Sequence, residues 1–251
     1  MSKESIGLLI TFILGIFILL GAIIAIVVGK KKKIIEYSLG LALGVIVTLI
    51  ITDLLPEVIE NLEISKIYLG MIGALIGYVL LKVLDYFIPD HGDDHHSKNE
   101  TQNNLIHIGI ITSVALIIHN IIEGMAVYTT AITANTSLVI GMTLGVGFHN
   151  LPLGMVIASS IYQTNKSKSK TIISLIAVSI STFIGGLIVY LFHIDNIEGV
   201  VAGLLLSITL GMLLFIVIDE LIPRILSIKD KKTAIIGILS GVIILLISCF
   251  F

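Results

Sequence analysis

The sequence predicts an all-α integral membrane protein of eight transmembrane helices with inverted-repeat architecture and both termini extracellular. Three observations lead there. Of 251 residues, 56% are hydrophobic and only 13% charged, whereas a soluble domain carries about a quarter charged residues. Apolar runs of about 20 residues, long enough to cross a bilayer, recur along the whole chain. Lysine and arginine then collect in alternate connections between those runs.

Segment one, 6–29, reads IGLLITFILGIFILLGAIIAIVVG. It outruns a signal-peptide core and has no small-residue cleavage site, so it is expected to be a true span. Segments two and three cover 35–60 and 67–89, and segments four and five cover 105–131 and 136–162. Segments six, seven and eight follow at 171–194, 198–226 and 233–251, making one transmembrane domain of residues 1–251. Loop one carries Lys30 to Lys33, and loop three is flanked by Lys82 and carries Lys98. Loop five has Lys166, Lys168 and Lys170, and loop seven has Arg224, Lys229, Lys231 and Lys232. The N-terminus and the even-numbered loops contribute only Lys3 and Lys66. Cationic loops stay cytoplasmic, so the odd loops face in and both ends of the chain face out. An added or lost span would put a lysine cluster on the wrong side. The expected location is the cell membrane, with the lipid bilayer as partner and no nucleic acid.

The single cysteine, Cys249, excludes an intramolecular disulfide and a cysteine-based metal site. The terminal Cys249-Phe250-Phe251 is too short for a prenylation box. Loop three, residues 90–104, is the one long polar stretch; its His91, His95 and His96 sit among Asp90, Asp93 and Asp94. It reads as a solvated linker or as a metal-catching loop.

Ionisable residues inside a span are costly and are functional candidates by default. Segment four places His119, Asn120 and Glu123 near its middle in the string HNIIEGM. Segment five places His149 and Asn150 near its own middle in HNLPLGM. His119 and Glu123 are four residues apart and therefore share a helix face. Imidazole with carboxylate is a mixed donor set suited to zinc, iron, manganese or cadmium. Alone, the two would be a buried polar pair. A second His-Asn at the same depth of the neighbouring antiparallel helix points instead to one shared metal ion. Pro152, inside segment five, removes a backbone donor and is expected to loosen the turn around His149.

Segment two ends TDLLPEVIE and segment seven ends IDELIPRI. Both strings set acids before a proline, yet they run in opposite directions through the bilayer. With the two His-Asn motifs, this suggests an inverted repeat relating segment two to seven and four to five, around a central metal site. Asp53, Glu57, Asp219 and Glu220 are then candidate acids of a cation pathway.

At these residues the chain resembles the ZIP (Zrt/Irt-like) family of divalent metal transporters, of bacterial type. The likeness covers most of the chain: eight spans, a His-bearing loop after segment three, HNxxEG and HNxPxG, and the strings DLLPE and ELIP. The resemblance implies uptake of zinc or a related divalent cation into the cytoplasm by an elevator-like or rocking movement, commonly as a homodimer. It implies a metal centre of His119, Asn120, Glu123, His149 and Asn150, with Zn2+ or another divalent transition metal as transported substrate. Two departures stand out. Bacterial relatives carry a glutamate where this chain has Leu153, and often Glu-Pro where it has Thr182-Phe183. Two divalent ions in low dielectric need several carboxylates between them. A centre with Glu123 as its one carboxylate is expected to hold a single ion. The competing reading from another class is an intramembrane zinc hydrolase using the same His/His/Glu set with a metal-bound water.

Overall fold

The computed structural model describes residues 2–28, 32–87, 97–133, 136–162, 168–194, 199–228 and 231–248. These are helical almost throughout, with no strand among them. Segment one is Lys3–Val28, segment three Ile67–Phe87, segment four Ser97–Thr133 and segment five Thr136–Tyr162. Segment six is Lys168–Phe192 and segment eight Lys231–Ser248. Segments two and seven are composite. Segment two runs as α-helix over Lys32–Leu49, as a π-helical turn over Ile50–Leu54, and again as α-helix over Leu55–Leu62. Segment seven does the same over Val200–Phe215, Ile216–Leu221 and Ile222–Ser227. Seven of the helical runs are long and apolar enough to cross a membrane among the described residues.

Segment four begins at Ser97, eight residues before its apolar run. Hydropathy marks where lipid begins, whereas a helix continues into water wherever its backbone can bond to itself. The other differences are small. Pro152 does not interrupt segment five, whose helix passes through it. One lost N–H donor is tolerated when neighbouring helices hold the turn on both sides.

The helices form two groups. Segments one, four, five and six pack together, as do segments two, three, seven and eight. Small residues explain the tightness, because apolar lipid offers no hydrophobic drive and helices in it associate by close backbone approach. A Cβ on Gly124 would strike the carbonyl of Thr182, and one on Gly185 the carbonyl of Ile121, locking segment four to six. Gly21 meets Leu151 and Gly154 meets Ile18, locking one to five. In the second group Gly77 meets Ile208 and Gly211 meets Ala74, joining three to seven. Gly40 and Gly44 face the backbone at Ala234 and Ile238, while Gly237 and Gly241 face Tyr37 and Leu41, joining two to eight. Each of these contacts lies inside a group. Between groups, segment five meets two and eight, and segment four meets seven.

The outer surface is apolar: Phe12, Ile23, Met71, Leu75, Ile173 and Ile236 are among many large exposed side chains. Such a surface suits hydrocarbon and would be a liability in water.

Candidate metal centre

Segment four carries three of the expected site residues, His119, Asn120 and Glu123. His119 and Asn120 are buried, and the Glu123 side chain is nearly so. His119 Nε2 lies 3.8 Å from Glu123 Oε1, one helical turn away. That is longer than a hydrogen bond and close enough for both atoms to face one small cation. Asn120 Nδ2 donates to the Val178 carbonyl of segment six at 3.3 Å. Its Oδ1 has no hydrogen-bond partner among the described residues. The neighbouring Gly124 lets segment six approach, so the polar face of segment four is pressed against another helix backbone.

Segment five contributes Asn150, which is fully buried (0% exposed). Neither its Oδ1 nor its Nδ2 finds a partner among the described residues. Leaving a buried amide unbonded costs about 1–3 kcal/mol per group, so this position calls for a ligand or water. The His149 backbone is part of the same helix, but its side chain lies outside the described residues. Leu153, at the place of the second motif's missing glutamate, is also 0% exposed and belongs to the apolar core. The mismatch between HNIIEGM and HNLPLGM is therefore filled by packed hydrocarbon.

Segment six, packed against segment four, carries two buried hydroxyls that sequence reasoning did not single out. Ser179 Oγ and Thr182 Oγ1 are buried and have no hydrogen-bond partner among the described residues. A serine and a threonine in an apolar run carry no distinctive signal, because most such hydroxyls bond back to their own helix. Ser181 does this, donating to the Val178 carbonyl at 2.6 Å.

The four acids do not gather at the centre. Among the described residues there is no group of three His, Cys, Asp or Glu able to hold a metal. Asp53 sits half-buried in the π-helical turn of segment two, without a partner among the described residues, and Glu57 is exposed one turn on. Asp219 accepts hydrogen bonds from Tyr78 Oη at 2.8 Å and Lys82 Nζ at 3.3 Å, tying segment seven to three. Glu220 is buried and accepts from Arg224 Nη2 at 3.0 Å. His91, His95 and His96 lie outside the described residues.

Comparison with known proteins follows the same line. Residues 89–248 match the model of a family described as ZIP Zinc transporter. The zinc transporter ZupT of Enterobacter sp. (strain 638) is 28% identical over 244 residues, spanning 94% of this chain and 93% of that protein. The protein of the same name from Clostridium perfringens is 26% identical over 275 residues, covering 99% of this chain and 96% of its own length. That of Streptococcus mutans is 26% identical over 251 residues, covering 96% and 95%.

Proposed function

The chain belongs to the ZIP zinc transporter family, and from that premise we propose that it carries Zn2+, or a closely related divalent cation, into the cytoplasm by alternating access. Transport of divalent metal across a membrane is the activity of the family, and the chain is not an enzyme. The hydrolase reading is dropped with that.

One observation carries the rest: unsatisfied buried polar atoms occur in the first helix group, on segment four and on the two helices packed against it. Asn120, Asn150, Ser179 and Thr182 all present such atoms, and all four lie on segments four, five and six. In our reading His119, Glu123 and His149 are the chief ligands, completed by Asn120, Asn150 or water. Zinc ligands at about 2.0–2.1 Å in a tetrahedron stand roughly 3.3 Å apart. His119 and Glu123, at 3.8 Å, need to close by about half an ångström to share an ion. With Leu153 buried in hydrocarbon, the centre has one carboxylate for one divalent ion. Weak, single-ion binding suits a carrier that must also release.

The movement follows from the packing. Glycine-locked pairs make each group of four helices stiff, and the seam between the groups has none of the glycine locks described above. Sliding or rocking at that seam would expose the centre alternately to each side. The pairings also support an inverted repeat. Exchanging segments one with six, two with seven, three with eight and four with five maps every locked pair onto another. The two π-helical turns agree, one holding Asp53 and the other Asp219 and Glu220, and each ending two residues before a proline. Cytoplasmic odd loops and external termini are read from the lysine distribution, and assembly as a homodimer completes the proposal.

Purified protein in liposomes, with a metal-sensitive dye inside, tests this reading. Zinc influx is expected from the unaltered chain, and little from Glu123→Ala or His149→Ala. No influx, or equal influx from all three, would overturn it.

A further inference from the structure

Glu220 is a buried acid inside a membrane-spanning segment, and it already holds a cation of the protein's own. Its side chain is 10% exposed. It lies in the π-helical turn Ile216–Leu221, which packs against segment four, the helix of His119 and Glu123, and against segment two. Arg224, one turn further on, places Nη2 at 3.0 Å from Glu220 Oε2. The next acid is treated alike: Asp219 is held by Tyr78 and Lys82, and Lys82 also lies 5.8 Å from the centroid of the Tyr78 ring. The matching turn of segment two differs, since Asp53 has no partner among the described residues.

We propose that Arg224 is a tethered counter-cation that competes with the transported ion for Glu220 and so keeps that carboxylate from trapping the cargo at the inner mouth. The proposal rests on the transport reading above. A buried carboxylate without a cation is strongly unfavourable, and a divalent ion would relieve that cost more fully than a water could. Without the guanidinium beside it, Glu220 would therefore hold a passing cation more tightly. Guanidinium is always charged, so Arg224 pairs with Glu220 whenever the metal is absent. An arriving ion must displace it, and Arg224 returns when the ion leaves. The net attraction is the difference between two ion pairs, which makes binding there shallow. The side chain of Arg224 is 26% exposed, which gives it room to swing aside. Entry and exit thereby differ: an acid open to cations on segment two, acids already neutralised on segment seven.

Zinc influx into liposomes separates the outcomes. Arg224→Gln is expected to lower KM about tenfold, equivalent to ~1.4 kcal/mol, and to lower the maximal rate because the ion is held. Arg224→Lys should stay near the unaltered protein, and the double variant Glu220→Gln/Arg224→Gln should recover its KM. An unchanged or raised KM in Arg224→Gln, or a double variant no better than the single one, would overturn the proposal. Should Arg224→Gln fail to insert, Glu220→Gln alone decides: the unpaired guanidinium should raise KM, and an unchanged KM refutes the competition. Absence of influx from the unaltered protein would instead refute the transport reading itself.

Discussion

The two helix groups are built alike and finished differently. Both are zipped by reciprocal glycines, and both bury hydroxyls among leucines and isoleucines. In the group of segments two, three, seven and eight, the buried polar side chains among the described residues are satisfied. Thr48 donates to the Gly44 carbonyl, Ser207 to that of Gly203 and Thr209 to that of Leu205, while Glu220 has Arg224. In the group of segments one, four, five and six, Asn120, Asn150, Ser179 and Thr182 keep buried atoms without partners among the described residues. Membrane interiors punish an unsatisfied polar atom. On the proposed reading, a group that retains several such atoms is the one that binds the ion.

Substitutions can break or sharpen that contrast. The largest effect is expected at the metal-type pair, where His119→Ala or Glu123→Ala should cut zinc influx by about 100-fold. Neither should lower thermal stability in detergent by as much. Asn150→Leu comes next and separates binding from folding most cleanly. Removing an unsatisfied amide should raise unfolding stability by roughly 1–3 kcal/mol while influx falls by about tenfold. A loss of both would mean the amide is structural. Filling a glycine contact should destabilise either group alike. Gly154→Val and Gly77→Val are each expected to cost about 1–3 kcal/mol in thermal unfolding. Thr48→Val should do least, costing about 1 kcal/mol or less with influx unchanged, because its hydroxyl serves only its own helix.

Long apolar runs made the helices legible in the sequence, and seven of the eight expected segments are membrane-length apolar helices among the described residues, segment eight not being one of them. The sequence also singled out His119, Asn120, Glu123 and Asn150, since a polar residue in such a run is visible by its cost alone. Three features were not legible. The helix of segment four starts at Ser97 because backbone bonding, not hydropathy, decides where a helix ends. The π-helical turns at Ile50–Leu54 and Ile216–Leu221 insert their extra residue through packing, with no composition of their own. Which helices pair is set by contacts between distant stretches, so the two-group division was hidden. The same holds for Asp219 and Glu220. As acids near a proline they looked like ligands awaiting a cation. Only the fold brings Tyr78 and Lys82 of segment three to Asp219.

Leu153 shows how a mismatch between two motifs becomes physical. In the sequence it is a missing carboxylate; in the fold it is a buried leucine of the apolar core. Leu153→Glu is expected to raise metal occupancy at the cost of stability, and to slow release.

The central claim is that one ion is held per chain, by segments four and five. Its most direct measurement is the zinc stoichiometry of the purified full chain carrying His91→Ala, His95→Ala and His96→Ala, which removes the histidines of loop three. One zinc per chain is expected, lost when Glu123→Ala is added. Two zinc ions per chain, or one that survives Glu123→Ala, would contradict the account.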